Sequence, residues 1–340
     1  MNGEAIANLA VQLMRFRSLS GSEHEAVAFL AEDFRKRGWS VEHLAVVDGR
    51  ENLFVAWGTP RIVFTTHIDI VSAPDALFEP QIRDGRLFGR GACDAKGIIA
   101  AFVATCEELL TRGETDFGLL IVVGEEQDGI GAKMASASLA NRGIAYLVDG
   151  EPTEGVAISA HKGGLGVHIT VEGRACHSGY PELGDDANTT LVELAHDLLH
   201  TDFGYDSKLG RATINVGKIE GGVADNVISP HGTLNCLVRT VGPTGPVLAK
   251  IREIVADRGN VEVLYDAPAV KLMEIPTLPT KVASFGTDIP HFAALGAQAV
   301  LYGPGSILVA HTDEEQVSLA ELESARDGYL EIFTFLKTKS

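Results

Sequence analysis

The chain has 340 residues, 46 of them acidic against 28 basic, for a formal net charge of −18. With 45% hydrophobic residues it can pack real cores, which excludes a disordered chain and, at roughly 100–200 residues per domain, points to about two domains. The acidic balance argues against nucleic acid or an anionic membrane as partner.

No apolar run reaches the ~18 residues of a membrane-spanning helix. The opening MNGEAIANLAVQLMRF lacks the basic stretch and apolar core of a signal peptide. The four cysteines, Cys93, Cys106, Cys176 and Cys236, show no CxxC spacing. Reduced, mostly buried thiols in a cytoplasmic protein are therefore expected rather than a cysteine zinc site.

In chain order, helical spacing covers residues 4–16 and 23–37, the second capped by Ser22 with Ala26, Phe29, Leu30 and Phe34 inward. NLFVAW at 52–57 and RIVFTTHIDIV at 61–71 read as buried strands. A helix follows over about 95–111, then strands GLLIVVG at 118–124 and YLVDG at 146–150. This alternation describes a layered α/β domain. From about residue 163 the pattern changes to strand 164–173, helix 188–200, strands 213–222 and 231–240, helix 246–257 and strand 261–265. That β-α-β-β-α-β order is the ferredoxin-like split βαβ unit. After a Pro-broken return, the chain from 282 reads helix, strand AVLYG, loop, and helix 319–337. A small domain over 163–271, inserted into a catalytic domain made of 1–162 and 272–340, accounts for this order.

Five segments bring histidines and carboxylates to strand ends, where sites of α/β sheets assemble. THIDIV offers His67 with Asp69 two residues on, a carboxylate that can fix a ligating imidazole; alone, the histidine reads as a core residue. GRGACDAKG offers Asp94, which could bridge two metals or simply cap the next helix. GEEQDG offers Glu125 and Glu126, which repel unless cations or protons neutralise them, or else form a solvated loop. VDGEPT offers Asp149 and Glu151, and GPGSILVAHTDEE offers His311.

The ordered set HxD, GRGxxDxKG, GEE, GEPT and GPG with a following AHT resembles the family of acetylornithine deacetylase, succinyl-diaminopimelate desuccinylase and carboxypeptidase G over essentially the whole chain. The resemblance implies a zinc-peptidase-like catalytic domain with an inserted dimerisation domain. It implies two divalent metal ions, zinc with cobalt or manganese as substitutes. His67 and Glu151 would hold one, Glu126 and His311 the other, and Asp94 would bridge them. Glu125 would be the general base and acid, and Asp69 would orient His67. The GEPT motif selects Glu151 over its neighbour Asp149, and the Asp94–Ala95 peptide is expected to be cis. In the inserted domain, GRACHSGYPELG places His177 and GGVADNVISPHGTLNCLVR places Asn226 and Arg239. By resemblance these contact substrate, with His177 reaching the partner's site in a homodimer. The plain alternatives are a surface charge at a strand end for Arg239 and a cap of its own loop for His177; the extended motif around Arg239 favours the functional reading.

The expected activity is hydrolysis of the amide bond of an N-acyl amino acid. A dipeptidase or carboxypeptidase of the same chemistry is the alternative. A catalytically dead ligand-binding scaffold is a third reading, but it expects a missing ligand or base, and none is missing.

Overall fold

The computed structural model describes residues 1–339. By internal contacts the chain forms two compact units. One comprises Met1–Ser159, Leu272–Lys281 and the chain from Thr287 onward; the other comprises Ala160–Lys271 with Val282–Gly286.

The first unit is built on a mixed sheet in the order Val41–Ala45, Glu51–Trp57, Phe117–Val122, Ile62–His67, Tyr146–Asp149 and Gln298–Leu301. Leu301 also lies opposite Ile158. Ile62–His67 and Phe117–Val122 are buried along their whole length, as expected of parallel strands covered on both faces. Alternate residues Leu53, Val55, Ile62, Phe64, Leu119, Ile121 and Val148 share one core with helices Gly3–Met14, His24–Lys36, Lys96–Thr111 and Leu319–Lys337. Phe102 anchors that core, with its ring 4.4 Å from Tyr329 and 5.3 Å from Phe64. Helix Ile130–Leu139 packs against the strands Val41–Ala45, Glu51–Trp57 and Phe117–Val122.

The second unit carries a four-stranded antiparallel sheet, ordered Thr213–Gly221, His231–Arg239, Gly164–Glu172, Asn260–Ala267. Helices Ala187–Leu199 and Thr244–Val255 complete the β-α-β-β-α-β order. The alternation seen in sequence puts Leu165, Val167, Ile169 and Val171 into its core, against Leu191, Leu194, Leu198 and Ile251.

Three local expectations are corrected. Ser22 does not cap the second helix: Glu23 stands at the cap position without a side-chain cap bond, and its carboxylate instead pairs with Arg50. The strand expected over 61–71 ends at His67. The helix expected from 282 is a strand, Thr280–Ala283, followed by a 3-10 run, Ile289–Leu295. Pro290 near the start of that run removes a backbone donor. Helix Leu319–Lys337 matches its expected span and opens on a capping box between Ser318 and Glu321. All four cysteines are free, three of them buried. No helix among the described residues is long and apolar enough to cross a membrane.

Emptying the Phe102 site should be costly. Phe102→Ala is expected to lower the unfolding free energy by about 3–5 kcal/mol, read from urea denaturation. A loss below about 1 kcal/mol would show that this ring cluster is not the anchor of the helical layer.

Candidate metal centre

Phe117–Val122, Ile62–His67, Tyr146–Asp149 and Gln298–Leu301 are neighbours and run parallel. Their carboxyl ends therefore open at one edge of the sheet, the usual place for an α/β site. His67 is the last residue of its strand. Glu125 and Glu126 follow Val122 by way of Gly124, whose φ of +78° suits glycine. Glu151 lies just beyond Asp149, and His311 in the loop beyond Leu301. Asp94 comes from the turn that opens helix Lys96–Thr111. That turn must be glycine-rich: Gly91 has φ +87°, and a Cβ on Gly97 would stand 2.1 Å from the carbonyl oxygen of Ala92. The Asp94–Ala95 peptide is cis.

The side chains converge. Asp94 Oδ1 lies 3.0 Å from His67 Nε2, and its other oxygen, Oδ2, lies 3.2 Å from His311 Nε2. Glu126 Oε1 is 3.0 Å from the same His311 nitrogen, and Glu151 Oε1 is 3.9 Å from His67 Nε2. Two sets of ligand atoms fall within 4.8 Å of one another: His67 with Asp94 and Glu126, and His67 with Glu125 and Glu151. Asp149 belongs to neither set. His67 is sealed, with 1% of its side chain exposed, whereas His311 is 46% exposed and sits at φ +62°.

Asp69 does more than sequence suggested. His67 Nδ1 lies 3.0 Å from the backbone carbonyl of Asp69, while the carboxylate is 3.5 Å away. The carboxylate also accepts from the amides of Glu125, at 3.2 Å, and Glu126, at 3.1 Å, and from the hydroxyl of Ser20, at 2.6 Å. One side chain thus fixes the backbone of the glutamate pair, while its own carbonyl sets the imidazole so that Nε2 faces the cluster.

The centre carries more negative charge than its own cations balance. Burial raises the Glu125, Glu126 and Glu151 carboxyls above their ordinary range. Neighbouring carboxylates push Glu125 and Glu151 further up. Burial alone would depress His67, but hydrogen bonds with Asp69 and Asp94 outweigh it and raise the ring well above its usual value. His311 is raised to about 10, first by its hydrogen bonds to Asp94 and Glu126. Against burial, the two imidazoles hold Asp94 well below the usual range. Such a set, with imidazole and carboxylate donors aimed at common points, fits divalent cations of the zinc, cobalt or manganese type.

Sequence reading missed Asp288, which is buried beside this cluster, raised well above its ordinary value by burial and then by Asp149. Its only sequence signal is its place in FGTDIP, which resembles an ordinary turn. Asp149 is raised to about 7 by burial. In the second unit, His177 pairs across an isolated bridge with Val227, and the Ser178 amide donates to the Asn226 carbonyl at 3.0 Å. His177 Nδ1 accepts from the Gly179 amide at 3.1 Å, the loop-capping contact. His177 and Asn226 are exposed, and Arg239 closes strand His231–Arg239.

Residues 63–334 match the model of peptidase family M20/M25/M40. An M20 peptidase domain-containing protein of Schizosaccharomyces pombe is 34% identical over 343 residues, covering 96% of this chain and 84% of its own length. A protein named as a probable carboxypeptidase of Aspergillus terreus is 36% identical over 360 residues, covering 93% of this chain and 83% of its own length. The fold is shared with a tripeptidase of Staphylococcus aureus, at TM-score 0.83 and 20% identity over 98% of each chain. It is shared too with an M20 family metallo-carboxypeptidase of Sulfolobus solfataricus, at TM-score 0.82 and 16% identity over 96% of this chain and 98% of that one. This chain therefore belongs to peptidase family M20/M25/M40 and is a metallopeptidase.

Proposed function

We propose that this metallopeptidase holds two divalent cations, zinc by donor type, and hydrolyses the amide bond next to the carboxyl-terminal residue of a short peptide. The observation that carries the reading is Asp94. Its two oxygens face two different imidazoles, at 3.0 Å and 3.2 Å, which is how a carboxylate shared between two cations is disposed. His67 and Glu151 would complete one position, and Glu126 and His311 the other. The excess of buried carboxylate supports cations in place of protons there.

Cations held in this way supply Lewis acidity, which acidifies water and polarises the scissile carbonyl. The rest falls to the chain's own groups. Glu125 is half-buried among carboxylates that raise its basicity. It takes a proton from the attacking water as the C–O bond forms. It gives that proton to the departing nitrogen as the C–N bond breaks, leaving an amine and a carboxylic acid, whose remaining proton passes to the amine so that an ammonium and a carboxylate are released. Asp69 holds Glu125 in place through the backbone amide. For Arg239 and Asn226 the motif resemblance supports recognition of the substrate's carboxylate, Arg by a forked pair of hydrogen bonds. For His177 it supports stabilisation of the oxyanion in a homodimer partner's site.

The carboxypeptidase reading draws on the names of the fungal relatives. Hydrolysis of N-acyl amino acids is the second reading, favoured by the motif series, and needs the same groups. A substrate panel decides between them. Dipeptides and tripeptides with a free carboxyl terminus should turn over with a higher kcat/KM than N-acetyl and N-succinyl amino acids. The reverse order would assign a deacylase.

The glutamate pair gives the sharper test of roles. Glu125→Ala should bind two cations per chain, as wild type does, yet lose kcat by about 10²–10⁴. Glu126→Ala should lose cation affinity, read by elemental analysis after dialysis. If the two phenotypes were exchanged, the base and the ligand would be the other way round.

A further inference from the structure

The GPG…AHTDEE segment supplies His311, but its last residue, Glu315, has no part in the chemistry above. It is nonetheless among the most enclosed carboxylates of the chain, with 1% exposure. Glu315 Oε1 accepts from three backbone amides of the glycine-rich turn: Gly91 at 3.0 Å, Cys93 at 3.2 Å and Asp94 at 3.2 Å. Oε2 pairs with the buried guanidinium of Arg90. The backbone carbonyl of Glu315 accepts from the Gly89 amide at 3.1 Å. Immediately beyond, strand Gln316–Ser318 pairs antiparallel with Arg86–Phe88.

Two segments distant in sequence are therefore zipped together, first by a short ladder and then by one carboxylate. At the open end of the zipper stand Asp94 and His311, whose Oδ2 and Nε2 are 3.2 Å apart. The two candidate cation positions differ in support. His67 is sealed at the end of a fully buried strand. His311 is half-exposed on a loop and in a left-handed conformation, which a non-glycine residue keeps only where its surroundings impose it.

We propose that Glu315 is a positioning residue for the cation held by Asp94, Glu126 and His311. By gathering the amides that precede Asp94, it fixes the Oδ2 oxygen relative to the His311 loop. The inference rests on the two-cation reading. Arg90 encloses the far oxygen of Glu315; the reach of the carboxylate to the amides does the positioning.

Charge and reach can be separated. Glu315→Asp keeps the charge opposite Arg90 but withdraws the acceptor by one methylene. The double variant Arg90→Met/Glu315→Gln removes the charge pair but keeps an oxygen at the amides. The stepwise dissociation constants for zinc are measured by calorimetry on the full chain, with folding checked by circular dichroism. Glu315→Asp should weaken the second binding step about 10–100-fold, the scale of an outer-layer change, and leave the first within about threefold. The double variant should keep both steps within about threefold of wild type.

Unchanged binding in Glu315→Asp, equal weakening of both steps, or failure of that variant to fold would overturn the inference in favour of a purely structural role. Loss of the second cation in the double variant would assign the effect to charge instead, and would also overturn it. Wild type that takes up only one cation would remove the two-cation reading itself, and the inference with it.

Discussion

Uncompensated negative charge is the constraint on which this molecule turns. Asp94, Glu125, Glu126 and Glu151 crowd around two imidazoles, with Asp149 and Asp288 buried nearby. Carboxylates removed from water at this density must be protonated or matched by cations. The fold is arranged to tolerate the crowding. Four parallel strands bring their ends to one edge and a turn before helix Lys96–Thr111 adds Asp94, so the groups come from five separate places in sequence, three of them at the ends of fully buried apolar strands. The layer of Phe64, Phe102, Tyr329 and Phe333 beneath gives that edge a rigid base.

A second layer of carboxylates works on the backbone rather than on cations. Asp69 gathers the amides of Glu125 and Glu126, and Glu315 those of Gly91, Cys93 and Asp94. Each carboxylate satisfies donors that a tight turn would otherwise bury unpaired, and each fixes the direction in which a reactive side chain leaves the chain. The charge-assisted hydrogen bonds involved are stronger than neutral ones. Precision at the centre thus comes from residues that need not touch a substrate.

Much of this was legible in the sequence because it depends on local pattern. Continuous apolar runs marked the buried strands, alternation marked strand Gly164–Glu172, and the order of elements after residue 163 described the split βαβ sheet. The ordered motifs point to His67, Asp94, Glu126 and His311 as one group, and their side chains converge. What escaped depends on tertiary partners. Ser22 fits the helix-cap pattern, but Glu23 occupies the cap position and turns to Arg50. Asp69 has the spacing of an imidazole partner, yet its carboxylate lies closer to amides some fifty residues away. Asp288 follows a Gly-Thr turn that carries no chemical signature in sequence. The chain from 282 reads as a helix, but Thr280–Ala283 pairs with a neighbouring strand and Ile289–Leu295 is a 3-10 run.

If Asp94 is shared between two cations, zinc should sit on both sides of its carboxylate. The direct measurement is anomalous X-ray diffraction from crystals grown with zinc, recorded on both sides of the zinc absorption edge. Two anomalous peaks are expected to flank the Asp94 carboxylate, one beside His67 and Glu151 and the other beside Glu126 and His311. A single peak, or two peaks that do not have Asp94 between them, would contradict it.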